Sequence, residues 1–427
     1  MVFAESQDDE QIIERVAALD IGKAEIVCCV RLPAPEGGKR RVQEVSTHST
    51  MVGALSDLAE RLVDLRIERV VMEATSDYWR PPFYLFQAHG LDPWLVNAKD
   101  VRHLPGRPKT DVLDAVWLCK VAERQMLRAS FVPPPPIRRL RDLTRYRVDL
   151  VGVRGAEKNR VEKLLEDACI KLSVVASDIH GVSGRAMLNA MIAGERDPRK
   201  LAEMARSRMR PKIGLLTEAF AGLQVGTFDA HHRFLLARML ARIDQADADI
   251  AAIDTQIQEH LAPFADAAAR LDQIPGVGPT AAAIIIAEIG LDMTRFPTPA
   301  HLASWAKFAP GIKSSAGKSK GNGSTGHGNR YLARVLGEAA VAAGRTDTFL
   351  GARYRRLARR RGKKKAIVAV GRSLLVIIWH LLAEPDARFT DLGADHYDRH
   401  VSTTAKTRNH VRSLEALGYH VTLQPAA

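Results

Sequence analysis

The chain has 427 residues, 46% of them hydrophobic and 26% charged, a composition that argues against disorder and fits two or three folded domains. Its 62 lysines and arginines exceed its 49 acids and give a net charge of +13, which favours a polyanionic partner, nucleic acid first. We expect no secretory signal, because the N-terminal sequence MVFAESQDDEQ carries acids and no apolar stretch. We also expect no membrane association, because the long apolar run 366–383 contains Arg372 and His380 and therefore predicts a buried helix. The four cysteines lack zinc-finger or disulfide-framework spacing, so a cytoplasmic location fits best.

The first third of the chain predicts an α/β domain. Three strands joined as a meander are followed by alternating helices and strands, which is the pattern of such a fold. The predicted strands are 16–19, 25–30, 42–47, 70–72 and 93–96, and the predicted helices are 55–65, 82–89 and one that opens at the sequence KTDVLDA, residues 109–115.

Four acidic residues occupy informative places in this layout. Asp20 ends the first predicted strand and Glu73 the fourth, and open α/β sheets bind ligands at strand ends. Asp111 and Asp114 are spaced i, i+3 at a helix start, so their carboxylates share one face. Solvated loop acids and dipole-stabilised helix starts would explain each of them separately. Together, in a basic protein, they also fit a divalent-metal site for phosphodiester cleavage, because Mg²⁺ takes oxygen ligands.

The middle of the chain predicts a separate helical domain. The sequence PPPP at 133–136 is interpreted as a stiff connector that cannot continue a helix, and therefore as a domain boundary. Residues 137–172 and 228–261 have long helical patterns, with shorter and less regular helices between them. An antiparallel hairpin or coiled coil and two helices of an ordinary bundle are both consistent with this pattern.

The third part of the chain carries motifs for binding a phosphate backbone. The sequence IPGVGP, residues 274–279, lies between two helical patterns and predicts a helix-hairpin-helix, in which Gly276 and Gly278 allow close approach of a phosphate. Next comes a basic, glycine-rich loop that presents Ser314 and Ser315 but has the wrong spacing for a Walker nucleotide-binding loop. A run of arginines and lysines at 353–365 adds a candidate phosphate-tracking surface. The candidate nucleic-acid-binding residues are Lys109, Gly276, Gly278, Lys318, Arg355, Arg356, Arg359, Arg360, Lys363 and Lys364.

The ordered set of motifs resembles a known family over roughly residues 14–385. DIGK at 20–23, MEATSDYW at 72–79, KTDVLDA, IPGVGP and APGIKSSAGKSKGNGSTGHGNRYL at 309–332 look like the DEDD transposases of a bacterial insertion-sequence family, the RNA-guided bridge recombinases related to the Piv DNA invertases. The resemblance implies an RNase H-like domain at 1–132 similar to Holliday-junction resolvases, a helical coiled-coil domain at 133–265, a mostly helical transposase domain at 266–385 and a C-terminal tail at 386–427.

The resemblance also implies a mechanism. The family's acidic tetrad falls on Asp20, Glu73, Asp111 and Asp114, which would bind Mg²⁺ or Mn²⁺. Its nucleophilic serine falls on Ser315, with Ser314 as the alternative because Ala316 stands where a glycine is common. The implied reaction joins donor and target double-stranded DNA through a phosphoserine and a Holliday junction. The implied partners are a structured guide RNA, the bridge RNA, and further copies of the chain in a dimer or tetramer.

Two other interpretations remain open at this point. A metal-dependent junction nuclease would use water as its nucleophile and the serine loop only to hold the DNA backbone. A non-enzymatic scaffold would bind nucleic acid and use the acids structurally.

Overall fold

The computed structural model describes residues 12–34, 40–73, 76–97, 110–311, 313–315, 318–320, 324–397 and 403–424. The chain divides into two compact units, Met1–Pro133 and Pro134–Ala427. The division falls within the PPPP sequence.

The first unit contains a mixed five-stranded sheet, as predicted for an α/β domain. Its strands are β1 (Val16–Ile21), β2 (Glu25–Leu32), β3 (Val42–Ser49), β4 (Arg69–Glu73) and β5 (Pro93–Val96), and its helices are α1 (Val52–Asp64), α2 (Arg80–Ala88) and α3 (Asp111–Glu123). The strand order is β3-β2-β1-β4-β5. Strand β2 is antiparallel to β1 and β3, whereas β1, β4 and β5 run parallel to one another.

The sheet is the middle layer of three. Alternate residues of a strand point to opposite faces of a sheet, and both faces of β1 and β4 are covered. Leu19 and Met72 pack in a core with α1 and α2. Ala18 and Val71 pack in a second core with α3 on the other face. Continuous apolar sequences in β1 and β4 are therefore explained by burial on both sides.

The second unit is mostly helical. Its helices are α4 (Pro135–Asp167), α5 (Leu172–Val175), α6 (Val182–Ala193), α7 (Pro198–Glu203), α8 (Ile213–Ala219), α9 (Ala230–Leu261), α10 (Ala265–Asp272), α11 (Pro279–Ile289), α12 (Pro299–Trp305), α13 (Arg330–Ala343), α14 (Phe349–Arg361), α15 (Lys363–Ala383) and α16 (Thr403–Glu415). A short antiparallel hairpin is formed by β6 (Lys313–Ser315) and β7 (Lys318–Lys320). The sequence predicted a basic, glycine-rich loop here, and six residues of that loop form this hairpin.

Helices α4 and α9 pair along their length as an antiparallel hairpin, one of the two predicted arrangements. Nη2 of Arg147 lies 3.1 Å from Oδ2 of Asp254, and Nη1 of Arg154 lies 2.5 Å from Oδ1 of Asp247. Moving two turns forward along α4, from Arg147 to Arg154, corresponds to moving two turns backward along α9, from Asp254 to Asp247. The two helices are therefore antiparallel. Helix α4 already begins at Pro135. The last two prolines of the PPPP sequence therefore lie in a helix, whereas the sequence predicted that all four lie outside it. Proline is tolerated in the first turn because its missing N–H has no helical partner there.

Two hydrophobic cores lie at opposite ends of this hairpin. The distal module, residues 168–229, packs its short helices on the C-terminal part of α4 and the N-terminal part of α9. The C-terminal module, residues 265–383, packs on the other ends, through Ile137 of α4 and Ile257 and Leu261 of α9.

Helix α15 is the central helix of the C-terminal module. Among the described residues it is the one helix long and apolar enough to cross a membrane by composition. Its residues Val370, Leu374 and Ile378 are fully buried in the module core. The prediction of a buried helix at 366–383 is therefore confirmed, and the helix begins three residues earlier.

The segment after α15 folds back on the C-terminal module. The backbone N–H of Phe349 donates to Oδ1 of Asp391 at 3.1 Å, and the backbone N–H of Phe389 donates to Oε1 of Gln273 at 3.2 Å. The ring of Tyr397 stacks on Phe349 with a centroid distance of 5.1 Å. Residues 386–397 therefore belong to the folded module, although the sequence predicted only a tail.

Candidate acidic site and nucleic-acid interface

Asp20 and Glu73 lie side by side at the carboxyl ends of two central parallel strands. Leu19 of β1 is opposite Met72 of β4, so the next residue on each strand is one of the two acids. Strand alternation directs both carboxylates to the face of Ala18 and Val71, which α3 covers. Both side chains are half-buried.

Helix α3 brings a third acid to the same place. The helix begins at Asp111, as predicted, because Thr110 is its N-cap and its hydroxyl accepts from the N–H of Leu113 at 3.4 Å. Asp114 is half-buried, whereas Asp111 on the first residue of the helix is exposed. Lys109 lies outside the described residues.

Asp20, Glu73 and Asp114 line one small pocket together with Trp117 and Leu118. Its free volume of about 10 Å³ corresponds to about one water-sized sphere. Asp111 is not among the residues that line it. Carboxylate oxygens are suitable donors for a hard divalent cation. Within the described part of the chain, however, no three acidic, histidine or cysteine side chains are close enough to form a complete metal-ligand cluster. The carboxylate oxygens are therefore suitable ligands for a divalent metal. The site is more open than a closed cage of ligands.

Buried contacts hold α3 against the sheet and so position Asp114. The Sγ of Cys119 contacts the carbonyl oxygens of Val16 and Cys29 at 3.5 and 3.4 Å. At the end of the helix, Nε of Arg31 donates to Oε2 of Glu123 at 2.5 Å. Glu123 is 6% exposed, and a buried acid of this kind is tolerated when it is paired. Burial also raises the pKa of Cys28, next to Cys29, to about 12, so this thiol stays protonated and packs as an apolar group.

Ser315 is the last residue of β6 and pairs with Lys318, the first residue of β7. Ser314 pairs with Ser319 in the same ladder. The hairpin has a closed base, because the N–H of Gly311 donates to the carbonyl of Ser324 at 3.4 Å. Ser315 therefore stands at the turn end of a short hairpin in the second unit. The four acids belong to the first unit.

The IPGVGP turn connects α10 to α11 and requires its first glycine for packing. Gly276 has φ +90°, and a Cβ there would lie 2.2 Å from the carbonyl oxygen of Ala339 in α13. Gly278 is the N-cap of α11 and has open space beside it. A cavity of about 390 Å³ lies at this turn, with Thr280, Arg147 and Arg334 in its wall. Cations and a helix start therefore border this cavity.

The basic run is divided between two uses. Arg355 donates to the carbonyl oxygens of Gly344 and Thr346 at 3.2 and 2.7 Å, and so closes the end of α13. The guanidinium of Arg356 lies 3.5 Å from the ring centroid of Tyr397. Nη1 of Arg353 donates to the hydroxyl of Tyr397 at 2.6 Å. The remaining six cations of the run are exposed and have no ion pair within the described residues: Arg359, Arg360, Arg361, Lys363, Lys364 and Lys365.

Sequence reasoning missed a buried polar cluster formed by Arg145, Glu288 and Asn329. A lone acid in the apolar sequence AAAIIIAEIG and an asparagine directly before a helix were the available signals. Neither signal reveals that the two residues meet.

Comparison with protein families identifies the chain as a transposase. Residues 17–170 match the model of the IS110-type DEDD transposase, and residues 268–355 match the model described as "Transposase IS116/IS110/IS902 family". Together the two matches span more than half of the chain. The chain belongs to the IS110/IS116 family of transposases. The first match contains the four acids, and the second contains Gly276, Ser315 and Asn329.

Two curated relatives come from insertion elements of Streptomyces. An uncharacterized 43.6 kDa protein of insertion element IS110 from Streptomyces coelicolor is 28% identical over 299 residues, which are 66% of this chain and 72% of the relative. An uncharacterized 44.8 kDa protein of insertion element IS116 from Streptomyces clavuligerus is 27% identical over 262 residues, which are 56% of this chain and 62% of the relative.

Proposed function

We propose that the protein is an RNA-guided DNA recombinase that cuts and rejoins donor and target DNA. The observation that carries this proposal is the parallel pairing of β1 with β4, which brings Asp20 and Glu73 together in a pocket that Asp114 also lines. Membership of the IS110/IS116 transposase family supports DNA as the substrate.

In this proposal Asp20, Glu73 and Asp114 hold Mg²⁺ or Mn²⁺, and Asp111 joins them from the exposed first turn of α3. The bound ion supplies positive charge against the phosphate oxygens. The role of the protein is to keep three carboxylates on one face of the sheet, where α3 shields them from bulk water.

The proposed nucleophile is Ser315. Its Oγ forms a bond to phosphorus, the bond from phosphorus to the departing deoxyribose oxygen breaks, and the serine proton ends on that oxygen. A serine hydroxyl is a weak nucleophile without a nearby base or metal. The reaction therefore requires a base or a metal ion close to the Ser315 hydroxyl. In the reverse step, the deoxyribose hydroxyl of the other DNA attacks the phosphoserine, and the serine hydroxyl is released. Strand exchange of this kind passes through a Holliday junction.

The remaining partners follow from the same proposal. A structured bridge RNA pairs with donor and target DNA and sets their sequence, while exposed cations hold the backbones. The chain acts as a dimer or tetramer in the cytoplasm. We also infer an RNase H-like fold for the first unit, supported by its mixed five-stranded sheet with acids at the ends of central strands.

The direct test is recovery of a covalent protein–DNA adduct. Purified full-length protein is incubated with Mg²⁺, guide RNA, donor and target DNA, then denatured and analysed by mass spectrometry. Wild type and Ser314→Ala should give an adduct, and Ser315→Ala should give none. Normal recombination by Ser315→Ala would reject the nucleophile assignment.

A hydrolytic junction nuclease is the second candidate. It is favoured by the fact that all residues lining the acidic pocket belong to a unit that does not contain Ser315. It predicts product ends free of protein, loss of cleavage in Asp20→Asn and unchanged cleavage in Ser315→Ala. The same incubation therefore separates the two functions. Full binding with unchanged DNA in wild type would instead indicate a scaffold.

A further inference from the structure

Glu288 is the most deeply buried acid described in the second unit. It lies on α11 among isoleucines and alanines and has no exposed surface. Arg145 of α4 binds both of its oxygens, with Nε to Oε1 and Nη2 to Oε2 each at 2.8 Å. Burial of a carboxylate in an apolar core is unfavourable unless such a partner is present. The pair therefore fixes α4 to α11 in one geometry.

Arg141 strengthens the same junction one turn earlier on α4. Its Nε donates to the carbonyl of Ala287 at 2.8 Å, and its Nη2 donates to the carbonyl of Glu288 at 3.0 Å. These carbonyls are at the C-terminal end of α11, where a helix has acceptors without internal partners.

Asn329 connects this junction to the serine hairpin. Its Nδ2 donates to Oε2 of Glu288 at 2.5 Å. Its Oδ1 accepts from the N–H groups of Tyr331 and Leu332 at 3.0 and 3.1 Å, so the same side chain caps α13. An aspartate could also cap the helix, but it could not donate to Glu288. The amide at this position is thus suited to both contacts.

The residues just before Asn329 form the base of the serine hairpin. They run back beside 306–311, where Gly311 bonds to Ser324. Gly328 is in close contact with the segment 306–311, because a Cβ at position 328 would lie 2.8 Å from the carbonyl oxygen of Ala306. Phe308 anchors the other side of the base in the core and is 7% exposed. The hairpin that carries Ser315 therefore emerges from a base attached to the Glu288 pair.

We propose that Arg145, Glu288 and Asn329 are positioning residues that hold the base of the serine hairpin to α4. The proposal rests on the proposed role of Ser315 as nucleophile. In this positioning role the three side chains do not contact DNA. They reduce the freedom of the hairpin before substrate binds, and a misplaced nucleophile reacts slowly even when it is chemically intact.

Asn329→Asp is the most informative variant, because it keeps the helix cap and removes the donor to Glu288. We expect hydrogen exchange of the Gly311 amide, which donates to the carbonyl of Ser324, to become at least about tenfold faster in the free full-length protein. With guide RNA and the donor and target DNA of the adduct assay as probe, adduct formation should slow about 10- to 100-fold. DNA binding should remain within about twofold of wild type, because binding contacts are unchanged.

The reciprocal double variant Asn329→Asp with Glu288→Gln provides the rescue. It places the amide on α11 and the carboxylate on the cap, so the hydrogen bond between positions 288 and 329 returns with donor and acceptor exchanged. Arg145 then keeps only its Nε bond to the amide oxygen, because its Nη2 loses the acceptor Oε2. Exchange protection and adduct rate should both recover in part. Asp197→Ala is the matched control, because it removes a helix cap in the distal module. It should leave the protection of the Gly311 amide unchanged.

The two proposals fail in distinguishable ways. If wild type forms no serine adduct, the nucleophile is wrong, and hydrogen exchange alone still decides whether the network holds the hairpin base. If Asn329→Asp keeps wild-type protection and adduct rate, the positioning role is overturned.

Discussion

At the scale of single residues, the four acids of the proposed tetrad differ in their exposure to solvent. Asp20 is half-buried in the pocket, while Asp111 is exposed and does not line it. We therefore expect Asp20→Asn to lower Mg²⁺-dependent DNA cleavage by about a thousandfold or more, because the Asp20 carboxylate would be a central ligand in the proposed site. Asp111→Asn should lose about tenfold or less, since an exposed carboxylate contributes less in water.

Single-turnover cleavage at saturating protein measures both variants. Mg²⁺ titration adds a second measurement, because a lost ligand should raise the metal concentration needed for half-maximal rate. Equal losses in Asp20→Asn and Asp111→Asn would mean that the exposed acid moves into the site when DNA binds.

The sequence predicted these four acids as site residues, but it could not predict which of them are more buried. Strand ends and i, i+3 spacing are local features, so Asp20, Glu73, Asp111 and Asp114 could be predicted from short windows. Their burial depends on how α3 docks on the sheet, through distant contacts such as Arg31 with Glu123. The Glu288 network was missed for the same reason, because Arg145 and Glu288 are 143 residues apart.

At the scale of elements, a histidine clamp closes the distal end of the α4–α9 hairpin. Nδ1 of His232 lies 2.7 Å from Oδ1 of Asp229, the N-cap of α9, and Nε2 lies 3.0 Å from Oδ2 of Asp167 on α4. The hydrogen bond to Asp229 raises the pKa of His232, and the contact with Asp167 acts in the same direction. The protonated ring thus joins the two long helices.

The sign of the pH effect follows from the raised pKa. The stabilisation is fully present below the unfolded-state pKa of about 6.5 and is lost as pH rises through the higher folded-state pKa. We expect the Tm of wild type to fall on going from pH 6 to pH 8 by more than the Tm of His232→Gln. Thermal unfolding at several pH values measures this difference.

Asp229→Asn is the control for the clamp, because asparagine keeps the helix cap but removes the charge. It should reduce the pH dependence as His232→Gln does. A pH dependence unchanged in both variants would place the titrating group elsewhere.

The long elements were predictable because their patterns are local. A 3.6-residue period over more than 30 residues indicated α4 and α9, and short strand-like runs separated by turn residues indicated β1 to β3. The start of α4 inside PPPP was predicted wrongly, since the sequence rule against proline does not apply to the first helical turn. The hairpin of β6 and β7 was also missed, because three-residue strands carry too little pattern.

At the scale of the whole molecule, the net charge of +13 overstates the positive surface available to nucleic acid. Many arginines are used inside the fold. Arg147 and Arg154 join α4 to α9, Arg145 pairs with Glu288, and Arg355 closes α13. The exposed cations after Arg356 form a more restricted surface across the junction of α14 and α15, where Gly362 separates the two helices.

Salt dependence of DNA binding can distinguish these two groups of cations. Each phosphate contact contributes about 0.9 to the slope of log affinity against log salt concentration. We expect the combined variant Arg359→Ala, Arg360→Ala, Lys363→Ala and Lys364→Ala to reduce that slope by about 3 to 4 if all four cations contact phosphates. Arg355→Ala should leave the slope unchanged and lower the Tm, because it removes hydrogen bonds to Gly344 and Thr346. Binding of a nonspecific duplex between 50 and 300 mM salt, about the range in which counterion release is measured, provides the comparison. A smaller slope in Arg355→Ala with an unchanged slope in the combined variant would reverse the assignment, and the phosphate-binding surface would then lie on the α13 side of α14.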